Sequence, residues 1–554
     1  MLSHRYKSYG LLVLLSLICA SFNLTKPVHI DDTAHLLIAR KILEDPLHPM
    51  SGELNLASNT ALPISSINQP FLFFYLQALV MLFFGQSELA QHLLMALITS
   101  IAIGFFYRLA RLLVPKHALF LTALFVLGPV FIPGQNLMTD VPVVTLWLIF
   151  FWAVFSVSDG GPTVKYWIGS AAIGAACLVK YTSLILLPIF LFVIVLRRQW
   201  RALWTLSVPV VALVGWSFFN YFDYGHVHIL NRSLESFGIT MIILKAVEWF
   251  VGVGAIAPFS VIFLSRENIR RPLWIAAVCL FAGEAMFLVS YGYYKSFYLA
   301  AWWALFFING IFTISLVNIS LMRGRKGNDK IKVERNLILF LWLAGAFTFI
   351  VLFAPFMAIR HIMLAVPGIL LLLGYNFEHS IECRQGIFGL ILTATLGILI
   401  ALSDYSYAAI YRDYAPKIVK ELPFGATIWY TRYRSWQWYA DLAGMRQYDT
   451  ERTIFKNGDY VIVIVPGVVT KQKAGVVIRE KILPRHQQIL KKVRQITVNA
   501  KPVTWLRTMS EKPYGGYYLF SLGIHGPPWL FSTAPLETFS IFVVEYAGPS
   551  RQAK

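Results

Sequence analysis

Charged residues, and acidic residues above all, are scarce in this chain. Asp and Glu account for 28 of its 554 residues, and the four charged types together make up 14%, against about 25% in a soluble domain. Hydrophobic residues make up 57% of the chain and aromatic residues 15%, which is more apolar surface than a soluble core can use. The composition excludes a disordered chain and a purely soluble one. It predicts that most of the protein lies in lipid.

Cysteine is rare as well, and its spacing excludes the common metal and redox motifs. The four cysteines, Cys19, Cys177, Cys279 and Cys383, lie in or beside apolar runs, and no Cys-x-x-Cys or His-Glu-x-x-His pattern occurs. Each is expected to be a small buried hydrophobic residue. The net charge of +20 would suggest nucleic acid in a soluble protein. In a membrane chain basic residues first mark the cytoplasmic ends of helices, so no nucleic-acid partner is expected.

Apolar runs between basic clusters predict about 13 membrane-spanning helices, because a span needs roughly 20 apolar residues and basic residues favour the cytoplasmic side. The first, Tyr9–Leu24, is interpreted as a retained anchor, since Ala20-Ser21-Phe22 is a poor signal-peptide cleavage site. No crossing is available to residues 71–84, which are predicted to form a surface helix in an external loop of residues 25–85. The other spans are predicted at Glu88–Leu109, Ala118–Pro133, Val141–Val157, two helices between Lys165 and Arg197, Trp204–Phe219, Val247–Leu264, Leu273–Ser290, Phe297–Val317, Leu337–Phe353, Met363–Gly374 and Ile387–Leu402.

The last part of the chain, residues 404–554, has a different character. It contains short strand-like runs at Ala426–Tyr430, Tyr460–Val465 and Phe539–Glu545 and a helical pattern around Arg485–Val498. None of these is long enough to span a membrane.

The predicted fold is therefore a polytopic α-helical transmembrane domain, residues 1–403, followed by a soluble mixed α/β domain. If the amino end lies in the cytoplasm, an odd number of spans places the second domain on the periplasmic side of the cell membrane. The same topology places the region near Gly52 on the periplasmic side and Gly327 in the cytoplasm. The net charge of about +10 in this domain weakly favours an anionic acceptor or leaflet.

Acidic residues near the outer surface are candidates for chemistry because so few acids occur. Asp31 and Asp32 precede apolar residues at helical spacing, so capping of a helix start is the alternative explanation for them. Two adjacent carboxylates exceed what a cap needs, and one is free to act as a base or to bind a cation. Asp140 precedes Pro142 in the second external loop, where a helix start is again the alternative.

Basic residues on the same side could contact a phosphate. Lys180 lies at a predicted external hairpin, where snorkelling towards lipid headgroups is the alternative. Arg360 and His361 begin a returning helix at the outer face, where anchoring to lipid phosphate is the alternative. Transporters tend to place polar groups at the midplane within repeats, and the sequence shows no internal repeat. Charged residues gathered at one face therefore favour chemistry at the membrane surface.

Five short motifs follow one another between residues 31 and 367. They are Asp31-Asp32-Thr-Ala-His35-Leu-Leu-Ile-Ala39-Arg40, Gln69-Pro70-Phe-Leu-Phe-Phe-Tyr75, Thr139-Asp140-Val-Pro142, Leu178-Val-Lys180-Tyr181-Thr182, and Arg360-His361 through to Pro367. In this order they resemble the GT-C membrane glycosyltransferases, in the branch that contains the protein O-mannosyltransferases and the bacterial lipid A aminoarabinose transferase. The resemblance implies a GT-C-like fold and a membrane-bound glycosyltransferase.

The resemblance also implies a mechanism and a set of site residues. An inverting enzyme would move a sugar from a polyprenyl-phosphate-linked donor to a lipid, glycan or protein acceptor at the outer face. The implied catalytic residues are Asp31 and Asp32, the implied phosphate contacts are Lys180, Arg360 and Gln69, and the other implied site residues are Arg40, His35, Asp140 and His361. No cofactor is required, because the donor carries no diphosphate to neutralise. A divalent metal stays an open alternative without support in the sequence.

Three positions depart from the family pattern. Asp32 replaces the usual Glu, His35 replaces a Tyr, and Gln69 stands where relatives often carry a phosphate-binding Lys. The sequence identifies neither the sugar nor the acceptor. A membrane transporter of a lipid-linked or anionic solute is the main alternative to an enzyme, and a scaffold or sensor with an external binding domain is the third.

Overall fold

The computed structural model describes residues 2–56, 60–157, 164–231, 238–264, 272–325, 329–381, 384–432, 434–466, 490–509 and 516–545. Helices make up most of this part of the chain. They are α1 Leu2–Asn23, α2 Asp32–Glu44, α3 Leu72–Phe84, α4 Glu88–Leu113, α5 Ala118–Val126, α6 Asp140–Phe155, α7 Val164–Val179, α8 Leu186–Leu196, α9 Ser207–Tyr224, α10 Ile239–Ile256, α11 Pro272–Tyr294, α12 Phe297–Arg325, α13 Lys330–Phe353, α14 Ile359–Ile362, α15 Val366–Asn376, α16 Glu378–Ile381, α17 Arg384–Glu421 and α18 Ser435–Leu442.

Seven helical segments of the described chain are long and apolar enough to cross a membrane, which confirms a polytopic helical protein. They are Glu88–Leu113, Trp200–Tyr224, Ile239–Ile256, Trp274–Tyr294, Phe297–Gly324, Lys330–Phe353 and Arg384–Glu421. Shorter apolar helices accompany them, so the count of about 13 spans stays a prediction. Helix α3 has 13 residues and a length of about 20 Å, too short to cross alone, and it packs against α2 in the first loop.

Several predicted spans have different bounds in the structure, and two of them show why. The run Ala118–Pro133 becomes helical only as α5, which ends at Val126, because the Gly and Pro residues that follow disfavour helix. The last span is longer than predicted, since α17 continues through residue 404 to Glu421 without a break. The proposed boundary at 403/404 thus falls inside a helix, and the division into two domains stays a prediction.

The C-terminal region contains a five-stranded sheet, in the order β4-β3-β5-β9-β6. Strand β3 runs parallel to β4 and β5, and β9 runs antiparallel to β5 and β6. The strands of the chain are β1 Glu53–Leu54, β2 Leu62–Pro63, β3 Ile428–Tyr430, β4 Arg446–Gln447, β5 Tyr460–Pro466, β6 Leu490–Val498, β7 Leu506–Arg507, β8 Leu530–Phe531 and β9 Glu537–Val544. The three predicted strand-like runs correspond to β3, β5 and β9. One face of the sheet, with Tyr430, Ile462 and Phe539, belongs to the same hydrophobic core as the helices.

The predicted helix around Arg485–Val498 is wrong where the structure describes it. Residues 490–498 form the edge strand β6, which pairs with the buried strand β9. This pairing overrides the local helical pattern, because strand preference depends on the neighbouring strand more than on the residues themselves. Residues 485–489 lie outside the described residues, as does Cys383; Cys19, Cys177 and Cys279 are buried free thiols, as predicted.

Candidate active site

A cavity in the described part of the chain brings together charged side chains from four separate segments. Asp31, Asp140, Lys180 and Arg360 line it, and all four are residues that the sequence singled out. The remaining lining residues are Asn68, Gln69, Val143, Tyr181, Thr182, Phe349, Ile350, Ala354, Pro355, Phe356, His361 and Leu364. The cavity encloses about 910 Å³, counting the open space at its mouth.

Each charged residue reaches the cavity from the end of a helix. Asp31 directly precedes α2, and Asp140 is the first residue of α6. Lys180 follows α7 in extended backbone, with φ −158° and ψ 126°. Arg360 lies in the short helix α14, which begins after the extended residue Ala358. Side chains at helix ends can converge because they are not confined to the face of a regular helix.

The four charged side chains form a chain of alternating sign. An Arg360 Nη2 donates to Asp31 Oδ2 at 2.8 Å, and Lys180 Nζ donates to Asp140 Oδ1 at 2.6 Å. Arg360 Nε lies 3.9 Å from Asp140 Oδ2 and so links the two pairs. The charges of these four groups cancel. The Asp31 side chain keeps 35% of its surface exposed, whereas that of Arg360 keeps 9%.

The adjacent acids Asp31 and Asp32 have different environments. The Asp31 side chain makes no capping hydrogen bond to α2 within the described chain, and it pairs with Arg360 instead. Burial raises the pKa of Asp31, but the charges of Arg360 and Arg434 outweigh burial, so this pKa lies below its ordinary value. Asp32 has no exposed surface, and its Oδ2 accepts the His29 N–H at 2.9 Å. Burial raises the pKa of Asp32 to about 8, which leaves Asp31 as the ionised member of the pair at neutral pH.

The other predicted residues divide into two groups. Gln69 and His361 line the cavity, and burial holds the pKa of His361 well below its ordinary value, so this ring is neutral. His35 is buried beside Phe74, with ring centroids 5.0 Å apart, and it does not line the cavity. Burial lowers the pKa of His35 to about 4.

Arg40 is not brought to the cavity. It is an exposed residue of α2 whose Nε lies 4.0 Å from Glu44. The reason is helical geometry, because a residue nine positions after Asp31 lies about two and a half turns further on, on the opposite face. The helix predicted after Asp32 is therefore enough to separate Arg40 from Asp31, although the family motif groups the two residues.

Sequence reasoning missed a buried ionic cluster behind the Asp31 loop. Lys26 Nζ lies 2.8 Å from Asp404 Oδ2, and His29 Nε2 lies 3.3 Å from Asp404 Oδ1, with all three side chains at 2% exposure or less. A Lys and an Asp beside apolar runs are a usable signal in a chain with so few acids. Their separation of 378 residues hides the pairing. Asn68, Tyr181 and Thr182 of the cavity wall were also missed as site residues.

The described residues include no group of three or more His, Cys, Asp or Glu side chains that could hold a metal ion. Both acids of the cavity are paired with cations, as described above. Metal dependence therefore stays a question for experiment.

The solved structures that match this chain include the following three, each with a TM-score below 0.5. ArnT from Cupriavidus metallidurans, bound to undecaprenyl phosphate, is 15% identical, with a TM-score of 0.42 over 85% of this chain and 94% of ArnT. The oligosaccharyltransferase AglB from Archaeoglobus fulgidus, in complex with an inhibitory peptide and a dolichol-phosphate, is 13% identical, with a TM-score of 0.44 over 90% and 74%. The arabinofuranosyltransferase AftD from Mycobacteria is 11% identical, with a TM-score of 0.32 over 97% and 40%.

Comparison of sequences gives one family. No curated protein matches the chain. Residues 68–221 match the family model for dolichyl-phosphate-mannose-protein mannosyltransferase. This segment carries Gln69, Asp140 and Lys180 of the cavity, and three of the five motifs. The match covers 154 of the 554 residues, and it agrees with the resemblance to membrane glycosyltransferases that the motifs indicate.

Proposed function

We propose that this protein transfers a sugar from a polyprenyl-phosphate-linked donor to an acceptor at the outer face of the membrane, with inversion at the anomeric carbon. The observation that carries the proposal is the convergence of Asp31, Asp140, Lys180 and Arg360 on one cavity. The transfer needs a carboxylate to take the proton of the acceptor hydroxyl and cations to stabilise the phosphate that leaves. The cavity supplies both kinds of group. The description of the matched family includes a donor of this chemical type.

Lys180 and Arg360 are suited to hold the donor phosphate. Each has one N–H bonded to a carboxylate of the cavity, while a Lys ammonium carries three donors and an Arg guanidinium five. Arg360 Nη1 also donates to Met138 Sδ at 2.7 Å, and the other donors can form charge-assisted hydrogen bonds to phosphate oxygens. As the bond between the sugar and the phosphate oxygen breaks, negative charge grows on the phosphate, and these fixed cations stabilise it.

The apolar wall of the cavity supports a lipid-linked donor. Phe349 and Ile350 lie near the end of α13, and Phe356 follows in the loop that leads to Arg360. The Arg360 guanidinium also lies over the Phe356 ring, 5.8 Å from its centroid. An isoprenoid next to its phosphate would find apolar contacts beside the cations, which is the arrangement that a polyprenyl phosphate requires.

Asp31 is the residue suited to act as the base. In an inverting transfer the acceptor hydroxyl attacks the anomeric carbon from the side opposite the phosphate. The hydroxyl proton passes to the Asp31 carboxylate, a new carbon–oxygen bond forms, and the phosphate leaves with the electron pair of the broken bond. The lowered pKa of Asp31 keeps this carboxylate ionised before the reaction. Asp32 lacks both exposure and charge at neutral pH, and it supports the loop through the His29 N–H.

The proposal is tested by following a labelled donor in membranes. Membranes with and without the protein are incubated with a panel of polyprenyl-phosphate sugars carrying different labelled sugars. We expect one donor to lose its sugar, with release of polyprenyl phosphate and a labelled acceptor of opposite anomeric configuration that is absent without the protein. Protein-dependent movement of an intact solute into vesicles, with no cleavage of any donor, would contradict the proposal and favour the transporter.

A further inference from the structure

A segment of the C-terminal region packs directly against the loop that carries Arg360. We name residues 516–522 the strap. The Ile359 N–H donates to the Tyr517 carbonyl at 3.0 Å, and the Phe520 N–H donates to the Met357 carbonyl at 3.0 Å. These bonds hold the backbone just before Arg360 to the strap in an antiparallel bridge. The position of the Arg360 side chain in the cavity therefore depends on the C-terminal region.

The strap is itself anchored among the helices. The Tyr517 hydroxyl donates to the Pro129 carbonyl at 3.0 Å, and the Leu522 N–H donates to Glu248 of α10 at 2.9 Å. Tyr517 and Phe520 have no exposed surface. A buried segment bonded at both ends is a rigid support, since each of its bonds would be left unpaired if it moved.

The same strap reaches the loop that carries Asp31. The Tyr518 hydroxyl donates to Asp404 Oδ2 at 2.6 Å, and Asp404 pairs with Lys26 and His29. His29 lies two residues before Asp31 in the chain. Tyr518 is thus connected through one carboxylate to the backbone that presents the candidate base.

The Asp31 loop has a strained backbone that needs such support. Ile30 has φ +51°, and a β-branched residue in this left-handed region is an outlier. Its side chain is 2% exposed, and its N–H donates to Ser435 Oγ of α18 at 2.9 Å. Strain of this kind persists only where surrounding contacts enforce it. Here the contacts come from Asp404, which pairs with His29, and from Ser435, which accepts the Ile30 N–H.

We propose that the C-terminal region positions both halves of the active site. The strap holds the Arg360 loop through its backbone, and Tyr518, acting through Asp404, holds the strained loop that presents Asp31. The inference rests on the proposed function, because it names the groups that hold the proposed base and phosphate contact in place. Tyr518 does not line the cavity, so it is a positioning residue rather than a catalytic one.

The test compares two Tyr→Phe variants of the full chain. Tyr518→Phe removes the hydroxyl that bonds to Asp404. Tyr411→Phe is the matched control, because its buried hydroxyl also bonds to a carboxylate, Glu537 Oε1 at 2.6 Å, but touches neither loop. Steady-state transfer gives kcat and the donor KM, and hydrogen–deuterium exchange is followed in peptides covering residues 28–35 and 355–362.

For Tyr518→Phe we expect kcat to fall about 10-fold or more with little change in donor KM, because a ~1 Å misplacement can cost about 100-fold in rate. Exchange in the two loops should become faster. Tyr411→Phe should keep the wild-type values of both.

The inference would be overturned if Tyr518→Phe kept the wild-type kcat and the wild-type exchange rates in the two loops. It would also be overturned if this variant lost kcat without faster exchange, or if Tyr411→Phe lost kcat equally. If the wild-type protein transfers no sugar, the proposed function fails, and exchange alone then decides whether the strap positions the loops.

Discussion

At the scale of single residues, the two neighbouring aspartates differ in charge at neutral pH: Asp31 is ionised and Asp32 is neutral, because their surroundings differ. Asp31 keeps part of its surface exposed and pairs with Arg360, so its pKa is lowered. Asp32 is fully buried, and burial raises its pKa to about 8 although its carboxylate accepts the His29 N–H. The motif predicts that an acid of this pair is catalytic. Only the three-dimensional arrangement, with a guanidinium from a position 329 residues away, favours one of the two.

The pH dependence of transfer distinguishes these two acids. A base must be unprotonated, so activity falls as the pH drops below the pKa of that base. With Asp31 as the base, donor kcat/KM should stay level between about pH 5 and 8, because its pKa lies below the ordinary value of about 3.9. His35 and His361 are neutral over this range, given their lowered pKa values. A loss of about tenfold per pH unit below pH 8 would assign the role to Asp32 instead.

The donor contacts can be tested by removing one cation at a time. Lys180→Ala and Arg360→Ala should each raise the donor KM roughly 10- to 100-fold, because a charge-assisted hydrogen bond contributes about 1.5–3 kcal/mol. Arg360→Lys should not restore the KM fully, since an ammonium cannot reproduce the guanidinium fork. Lys41→Ala is the control, because Lys41 also pairs with an acid, Glu44, at 2.6 Å but does not line the cavity. Wild-type donor kinetics in both alanine variants, at equal protein levels, would remove these residues from the site.

At the scale of helices and strands, the sequence predicts the type of most elements but not their ends. Apolar runs mark the helices because a span must be apolar along its whole length. A helix within residues 71–84 is confirmed as α3, and its position at the membrane surface stays a prediction. The predicted ends are wrong where residues that disfavour helix occur within an apolar run, as at the Gly and Pro residues after Val126. They also fail where polar residues continue a helix, as in α17 beyond residue 403. Strand β6 was missed because its partner β9 lies far along the chain.

A close crossing of two helices gives a prediction at this scale. A Cβ atom on Gly254 of α10 would lie 1.8 Å from the Phe306 carbonyl oxygen of α12 and 2.6 Å from the Gly310 nitrogen. Small residues allow such backbone contact between membrane helices. Gly254→Ala should therefore separate the helices and destabilise the protein by about 1–3 kcal/mol, visible as a lower thermal unfolding temperature in detergent.

Gly104→Ala provides the comparison for that prediction. Gly104 lies within α4, and a Cβ atom there would meet no described atom within 4 Å. This variant should unfold at or above the wild-type temperature, because Ala favours helix over Gly by about 1 kcal/mol. Equal stability of the two variants would show that the α10–α12 contact is not as close as described.

At the scale of the whole molecule, the C-terminal region and the first loop share one side of any membrane. Arg452 pairs with Glu53 at 2.7 Å, and Lys26 pairs with Asp404 at 2.8 Å. Direct contact places both segments on the same side, and this requires an even number of spans between the first loop and the C-terminal region. The resemblance to a family predicted that the four charged residues meet in the cavity, although it also placed His35 and Arg40 there. Composition and spacing alone could not, because the four charged residues come from helix ends spread over 330 positions of the sequence.

Labelling of single cysteines tests on which side of the membrane the first loop and the C-terminal region lie. Thr470 and Gly327, which the topology also assigns, lie outside the described residues, so Lys456 and Lys330 serve in their place. A cysteine at Ser51 or Lys456 should react with an impermeant reagent from the outside, and a cysteine at Lys330 only after the membrane is opened, because basic loops stay in the cytoplasm. Labelling of Lys456→Cys from the cytoplasmic side alone would overturn the predicted orientation.

The central claim is that Asp31 is the base, and the most direct measurement is sugar transfer by Asp31→Asn beside Asp32→Asn. Asn keeps the size of Asp and much of its capping ability, but an amide cannot accept the proton. We expect Asp31→Asn to lose about 10²–10⁴ in rate with normal membrane insertion and thermal stability. Asp32→Asn should stay close to the wild-type rate, since Asp32 is buried and uncharged at neutral pH. Near-normal transfer by Asp31→Asn, with Asp32 intact, would contradict the account.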